Sequence, residues 1–179
     1  MKRAALVLLL AAGGCQTGQH QSSERNPAVL EDGYYVRMYY DGSASVSNSP
    51  DTSVEHWSID CRIDKMRDKR RCSFDRATGG VLVYYGFSAT PQSICISGHD
   101  FPGRRGQIRV DKHQPITTDR DGCVPAGRIL SQLKTGSQLL TRRYRWPYDY
   151  PVDTSTYLEG FNKAMTIVDR IRSGGQKWD

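Results

Sequence analysis

Polar and apolar positions alternate most clearly from Trp57 onward. Trp57, Ile59, Cys61 and Ile63 are separated by polar residues, the period of two that marks a half-buried strand. Asp64 to Arg71 is a highly charged stretch, after which Cys72-Ser73-Phe74 resumes the pattern, so a hairpin is expected with Cys61 and Cys72 facing each other near its end. Val81–Phe87, Ser93–Ser97 and Gln107–Asp111 are further strand candidates, broken by Pro91 and Pro115. Upstream, residues 34–40 (YYVRMYY) have strand composition, and Asp41-Gly42 opens a turn into a Ser-rich stretch, 42–53, that is expected to be a loop. A short helix is expected after Pro125, carrying Ile129, Leu130 and Leu133 and stopping at Gly136, and Leu139, Leu140 and Tyr144 return to strand. Leu158, Phe161, Ala164, Met165, Val168 and Ile171 share one face of a final helix, with Thr156 and Glu159 as a capping box and Gly174-Gly175 as its end. The expected fold is mainly β and sandwich-like, with a short helix and a C-terminal helix.

The N-terminus carries a different signal. Lys2-Arg3 is followed by nine apolar residues, Ala4–Ala12, which span about 14 Å as a helix against the ~30 Å needed to cross a bilayer. That is the form of a signal peptide. Gly13-Gly14 then precede Cys15, an arrangement that resembles the bacterial lipobox, in which the Cys is acylated and the chain is cut just before it. The expected organisation is a leader at 1–14, a lipidated Cys15 with a flexible tether to residue 32, an extension at 33–55, and the main domain at 56–175. Gln16 after Cys15 resembles an outer-membrane sorting signal, with the domain on either the periplasmic or the surface face.

Cysteine parity agrees with lipidation. Of five Cys, removing Cys15 leaves Cys61, Cys72, Cys95 and Cys123, an even set that reads as two disulfides in an exported chain. Sequential pairing is the simplest of three connectivities. No C-x-x-C occurs, and the four His are scattered at 20, 56, 99 and 113, so no metal or cofactor is implied.

Hydrophobic residues make up 37% and charged residues 25% of the chain, with a mean hydropathy of -0.60, which excludes a polytopic membrane protein. Without the leader, 23 basic and 19 acidic residues leave a net charge of +4, too mild to imply nucleic acid. Asp-Thr-Ser occurs at 51–53 and 153–155, but both copies have Ser where the turn of an aspartic protease needs Gly. There is no G-x-S-x-G elbow, Walker loop or H-E-x-x-H, and adjacent His99-Asp100 is a poor relay. A non-catalytic binding domain is expected.

Two segments carry the binding candidates. Lys65, Arg67, Lys69, Arg70 and Arg71, with Arg62, crowd between Cys61 and Cys72 against only Asp64 and Asp68. Such a tip either meets lipid A phosphates, an anionic glycan or an acidic protein, or is a solvated turn that blunts an edge. Arg143, Arg145, Trp146, Tyr148 and Tyr150 lie in RRYRWPYDYP at 142–151, rich in the residue types that dominate binding hot spots. This strip is either a partner surface or a connection packed on the core. Arg104-Arg105 belong to another Gly-flanked turn.

From Trp57 to Ile171 the order of features is distinctive: W-S-I-D-C, a second Cys after a charged hairpin, P-G-R-R-G-Q-I-R-V-D-K at 102–112, G-C-V-P-A at 122–126, and L-E-G-F-N-K-A at 158–164. The series resembles the invasion-associated locus B family of α-proteobacterial envelope proteins over about two thirds of the chain. The resemblance implies a compact β-rich domain without established catalytic residues and an envelope role linked to host-cell invasion. It carries over no functional residue. Two features differ from that family: the lipidation signal and the Tyr-rich strand with its Ser-rich loop before Trp57. The alternative role is an accessory subunit of a secretion or outer-membrane assembly complex.

Overall fold

The computed structural model describes residues 28–39, 41–51 and 55–174. The leader, Cys15, the tether up to residue 27, Thr52 and Ser53 of the first Asp-Thr-Ser copy, and Gly175 lie outside the described residues. Among the described residues, twelve strands form two antiparallel sheets. The large sheet holds β1 (Val29–Glu31), β2 (Tyr34–Met38), β3 (Ser43–Ser47), β4 (Trp57–Asp64), β5 (Lys69–Arg76), β6 (Val81–Gly86), β7 (Ser93–Ile96) and β10 (Cys123–Pro125), side by side in that order. The small sheet runs β12 (Tyr148–Tyr157), β11 (Gln138–Arg145), β8 (Gln107–Val110), β9 (Ile116–Thr117). A 3-10 turn at Ala126–Arg128 leads into α1 (Leu130–Thr135), and α2 (Phe161–Arg172) follows β12. The mainly β fold, with a short and a C-terminal helix, is as the sequence pattern predicts.

Alternation explains the core. Met38, Ala44, Ile59, Phe74, Val83, Ile94 and Val124 are successive partners across the large sheet, and all are buried on one face. The small sheet turns inward Ile108 and Val110 beside Thr141 and Leu139, with Thr156 beyond. Helix α2 lays Phe161, Ala164, Ile167, Val168 and Ile171 into this core. Trp57, Phe74 and Phe161 meet edge to face with centroids 5.4–5.6 Å apart, a geometry that adds to area burial. The disulfides join Cys61 to Cys72 and Cys95 to Cys123, each pair directly opposite in its ladder.

Four expectations change. The Ser-rich stretch is not all loop: β3 puts Ala44 and Val46 into the core and pairs with both β2 and β4. Residues 33–55 are therefore no separate extension, because β2 and β3 build the same core as β4. The tether is also shorter than residue 32, since Val29–Glu31 pair with β2. Finally, Thr156 and Glu159 do not cap α2. Thr156 is the buried penultimate residue of β12, and the helix opens from Gly160 at φ 78°, a left-handed position that favours glycine. Trp57 Nε1 fixes that approach by donating to the Glu159 carbonyl at 2.7 Å.

The first strand is held by charge. Lys163, buried on α2, donates to Glu31 at 3.2 Å and Asp32 at 2.7 Å, and Arg170 reaches both Glu31 oxygens. The Arg170 hydrogen bonds, supplemented by Lys163, hold the Glu31 carboxyl down at about 2 against its usual 4.5. A depressed carboxyl contributes stability above its unfolded pKa that is lost as pH falls toward the folded one. Melting temperature is therefore expected to drop between about pH 4.5 and pH 2. Glu31→Gln should start lower at neutral pH and fall less steeply; an identical slope in both proteins would remove Glu31 from the acid transition.

Candidate functional site: two opposed hairpin tips

Ladder register sets how far the β4–β5 hairpin reaches. Cys61 lies beside the β2–β3 turn, its N–H donating to Gly42 at 3.2 Å, and Cys72 pairs with Gly86 at the end of β6. Beyond the disulfide the ladder continues through Arg62–Arg71, Ile63–Arg70 and Asp64–Lys69. The hairpin thus projects past its neighbours on both sides by about 10 Å, at 3.3 Å per residue. Asp64 shapes the turn by accepting from the Met66 N–H at 2.9 Å. Lys65, Arg67, Lys69 and Arg71 are exposed. Arg70 is half-buried and donates weakly to the Cys61 carbonyl at 3.4 Å, while the Arg67 guanidinium lies 5.0 Å from the centre of the Phe87 ring. Among the described residues no ion pair engages any of these five cations.

The second candidate segment forms another tip. β11 and β12 pair from Gln138–Tyr157 to Arg145–Tyr148, with a register shift after Tyr144. Trp146, Tyr148 and Tyr150 are each about 60% exposed, so the strip is not a connection packed on the core. Strand alternation splits it. Register places Tyr148 and Tyr150 on the side of Val152 and Arg143, their rings 6.0 Å apart. On the other side stands an aromatic and cationic cluster supplied by the loop between β7 and β8. Phe101 meets Trp146 edge-on at 5.4 Å; Arg104 lies 4.2 Å from the centre of the Tyr144 ring and pairs with Asp149 at 3.0 Å.

The loop is pinned to the tip through backbone groups. The Trp146 N–H donates to Asp100 at 2.9 Å, the Tyr144 N–H to His99 Nδ1 at 3.2 Å, and His99 Nε2 lies 3.1 Å from the Arg104 carbonyl. With Nδ1 accepting, Nε2 carries the proton, so both ring nitrogens and the Asp100 carboxylate hold backbone in place. Arg143, expected at the binding surface, is instead half-buried and donates to the Ser97 carbonyl at 2.9 Å. It brackets the hairpin to the end of β7 because its strand position turns it toward the large sheet. Arg145 is exposed.

Alongside, Arg142 clasps Asp153 through two 2.7 Å hydrogen bonds, which hold the Asp153 carboxyl below its usual range. The second Asp-Thr-Ser copy is therefore a stretch of edge strand β12. Arg109, Leu140 and Arg142 line a shallow hollow of about 190 Å³ on the same outward face, with Pro115 in its wall. Among the described residues no group of three His, Cys, Asp or Glu side chains is placed to hold a metal ion, and no helix is long and apolar enough to cross a membrane. Phe101 is the site residue that the sequence pattern missed; Tyr144 and Asp149 entered only as members of the 142–151 strip, and Arg104 only through the Arg pair in the Gly-flanked turn at 103–106. Comparison with protein-family models, curated proteins and solved structures gives no match.

Proposed function

We propose that this chain is an outer-membrane lipoprotein, anchored through Cys15, whose β domain is a non-catalytic binding module for host-cell interaction or surface adhesion. The observation that carries the reading is the β11–β12 tip. Three large aromatic side chains stand in solvent on a frame fixed by backbone hydrogen bonds, with Arg104 and Arg145 beside them. Rigid aromatic and Arg side chains contribute large contact area with little ordering cost, which is why they dominate binding hot spots. The lipobox-like leader and the resemblance to the invasion-associated locus B family support the envelope setting.

Beads coated with the purified oxidised protein should adhere to cultured host cells. Replacing Trp146, Tyr148 and Tyr150 together by Ala should cut adhesion by about tenfold or more, the loss expected of one or two hot-spot residues. The fold should be unchanged by circular dichroism, because none of the three is buried. Adhesion equal to the wild type would remove the tip from the reading.

A second reading, an accessory subunit of an envelope complex, is favoured by the outer edge of β12, a ten-residue strand that among the described residues is bonded on one side only. Protease treatment separates the two. Cleavage of the domain on intact cells supports the surface role, and protection until the outer membrane is opened supports the periplasmic one.

A further inference from the structure

The β4–β5 tip combines two properties that a solvated turn has no use for. Lys65, Arg67, Lys69, Arg70 and Arg71 make no ion pair among the described residues, and Arg62, itself paired with Asp60 at 2.7 Å, faces Arg71 directly across the ladder, a like-charge pairing that costs stability. Its apolar side chains are also turned outward: Met66 is 93% exposed and Ile63 58% exposed. Cations around a protruding apolar apex match the boundary of an anionic bilayer, where phosphates meet the first methylenes. A sulfated glycan satisfies the cations but leaves Met66 and Ile63 in water, and an acidic protein would have to supply an apolar pocket as well.

Topology supplies a second argument. β1 runs antiparallel to β2, with Glu31 opposite Tyr34 beside the β1–β2 turn and Val29 opposite Val36. The chain therefore approaches Val29 from the end of the sheet that holds the β2–β3 turn and the β4–β5 tip. Residues 16–27 separate Cys15 from the described fold, a reach of at most about 47 Å when fully extended. The loop that braces Trp146 leaves β7 at the opposite end, where the Ser97 N–H meets the carbonyl of Gly80 in the β5–β6 turn at 3.4 Å.

We infer that the β4–β5 tip is a membrane-docking element, its cations seated on lipid phosphates and Met66 and Ile63 in the headgroup layer, so that the aromatic tip faces away from the bilayer. The identity of the membrane rests on the lipoprotein reading; the docking chemistry does not.

The chain from Gln16 onward holds every described residue and both disulfides, and is used so that neither leader nor acyl chain contributes. It should float with vesicles of phosphatidylcholine mixed with phosphatidylglycerol, but not with phosphatidylcholine alone, and binding should weaken as salt is raised. Replacing Lys65, Lys69 and Arg71 by Ser spares the contacts of Arg67 and Arg70 and should weaken vesicle binding at least tenfold. Met66→Ser with Ile63→Ser should weaken it several-fold at unchanged charge. Equal binding to neutral and anionic vesicles, or charge variants that bind as the wild type does, would overturn the proposal. So would heparin binding with indifference to Met66 and Ile63, which would assign the tip to a sulfated glycan. Failure of Cys15 acylation in cells would remove the lipoprotein reading and leave the vesicle result standing.

Discussion

Removing both disulfides is expected to lower unfolding free energy by roughly 6.5 kcal/mol, about 3 from Cys61–Cys72 and 3.5 from Cys95–Cys123 on the chain-entropy model. The bridges close loops with sequence separations of 11 and 28, and the loss compares with a total of about 5–15 kcal/mol for a domain. For a chain of this size it amounts to roughly 13–26 °C in melting temperature. The two bridges differ in exposure. Cys61 and Cys72 are buried in the core, whereas Cys95 and Cys123 are half-buried. Paired Cys→Ala variants therefore isolate each contribution better than reductant, which reaches the exposed bridge first. Melting curves of the two double variants check the prediction. Midpoints within a degree of the wild type would show that the ladder alone holds these strands.

Trp57→Ala is the second large effect. The side chain is fully buried, packs against Phe74 and Phe161, lies under the Arg76 guanidinium, and donates to the Glu159 carbonyl. Deleting it opens a cavity and leaves the Glu159 carbonyl only the long 3.4 Å hydrogen bond from Arg76. The expected loss is about 3–5 kcal/mol, with about 1 kcal/mol more for the hydrogen bond. Because Glu159 precedes the left-handed Gly160 that starts α2, the damage should spread to that helix. Denaturant unfolding with near- and far-ultraviolet circular dichroism reads both. Trp57→Phe keeps most of the packing and should cost roughly half as much; a similar loss for the two variants would place the energy in the hydrogen bond rather than the cavity.

Period-two patterning made β4, β5 and β8 legible, because Trp57, Ile59, Ile108 and Val110 are large and their neighbours polar. It failed at β3, where the inward residues are only Ala44 and Val46 and the outward ones are Ser, so that the contrast is small although the strand is central. The face of α2 was legible from its apolar spacing, but its start was not. The Thr156–Glu159 spacing fits a cap, while tertiary contacts at Trp57 and Gly160 decided otherwise.

Site legibility divides the same way. Exposed cations between two cysteines were visible in the sequence. That Phe101 and Arg104 join a tip some 40 residues further along was not, since no local pattern records which loop lies across which hairpin. Arg143 shows the same limit: its residue type suggested a binding surface, and its strand parity turned it inward to the Ser97 carbonyl.

Both disulfides link cysteines that are consecutive in the chain and neighbours in a ladder. For a polypeptide that crosses a membrane N-terminus first, the thiols arrive in the order in which they pair. Cys61 and Cys72 are both across before Cys95 appears, so with Cys15 taken up by a lipid an oxidase acting on arrival would make the native bridges without passing through a wrong partner. For an exported chain with Cys15 acylated, such a connectivity would be a sequence of events as well as a geometry, with no isomerase needed to correct it.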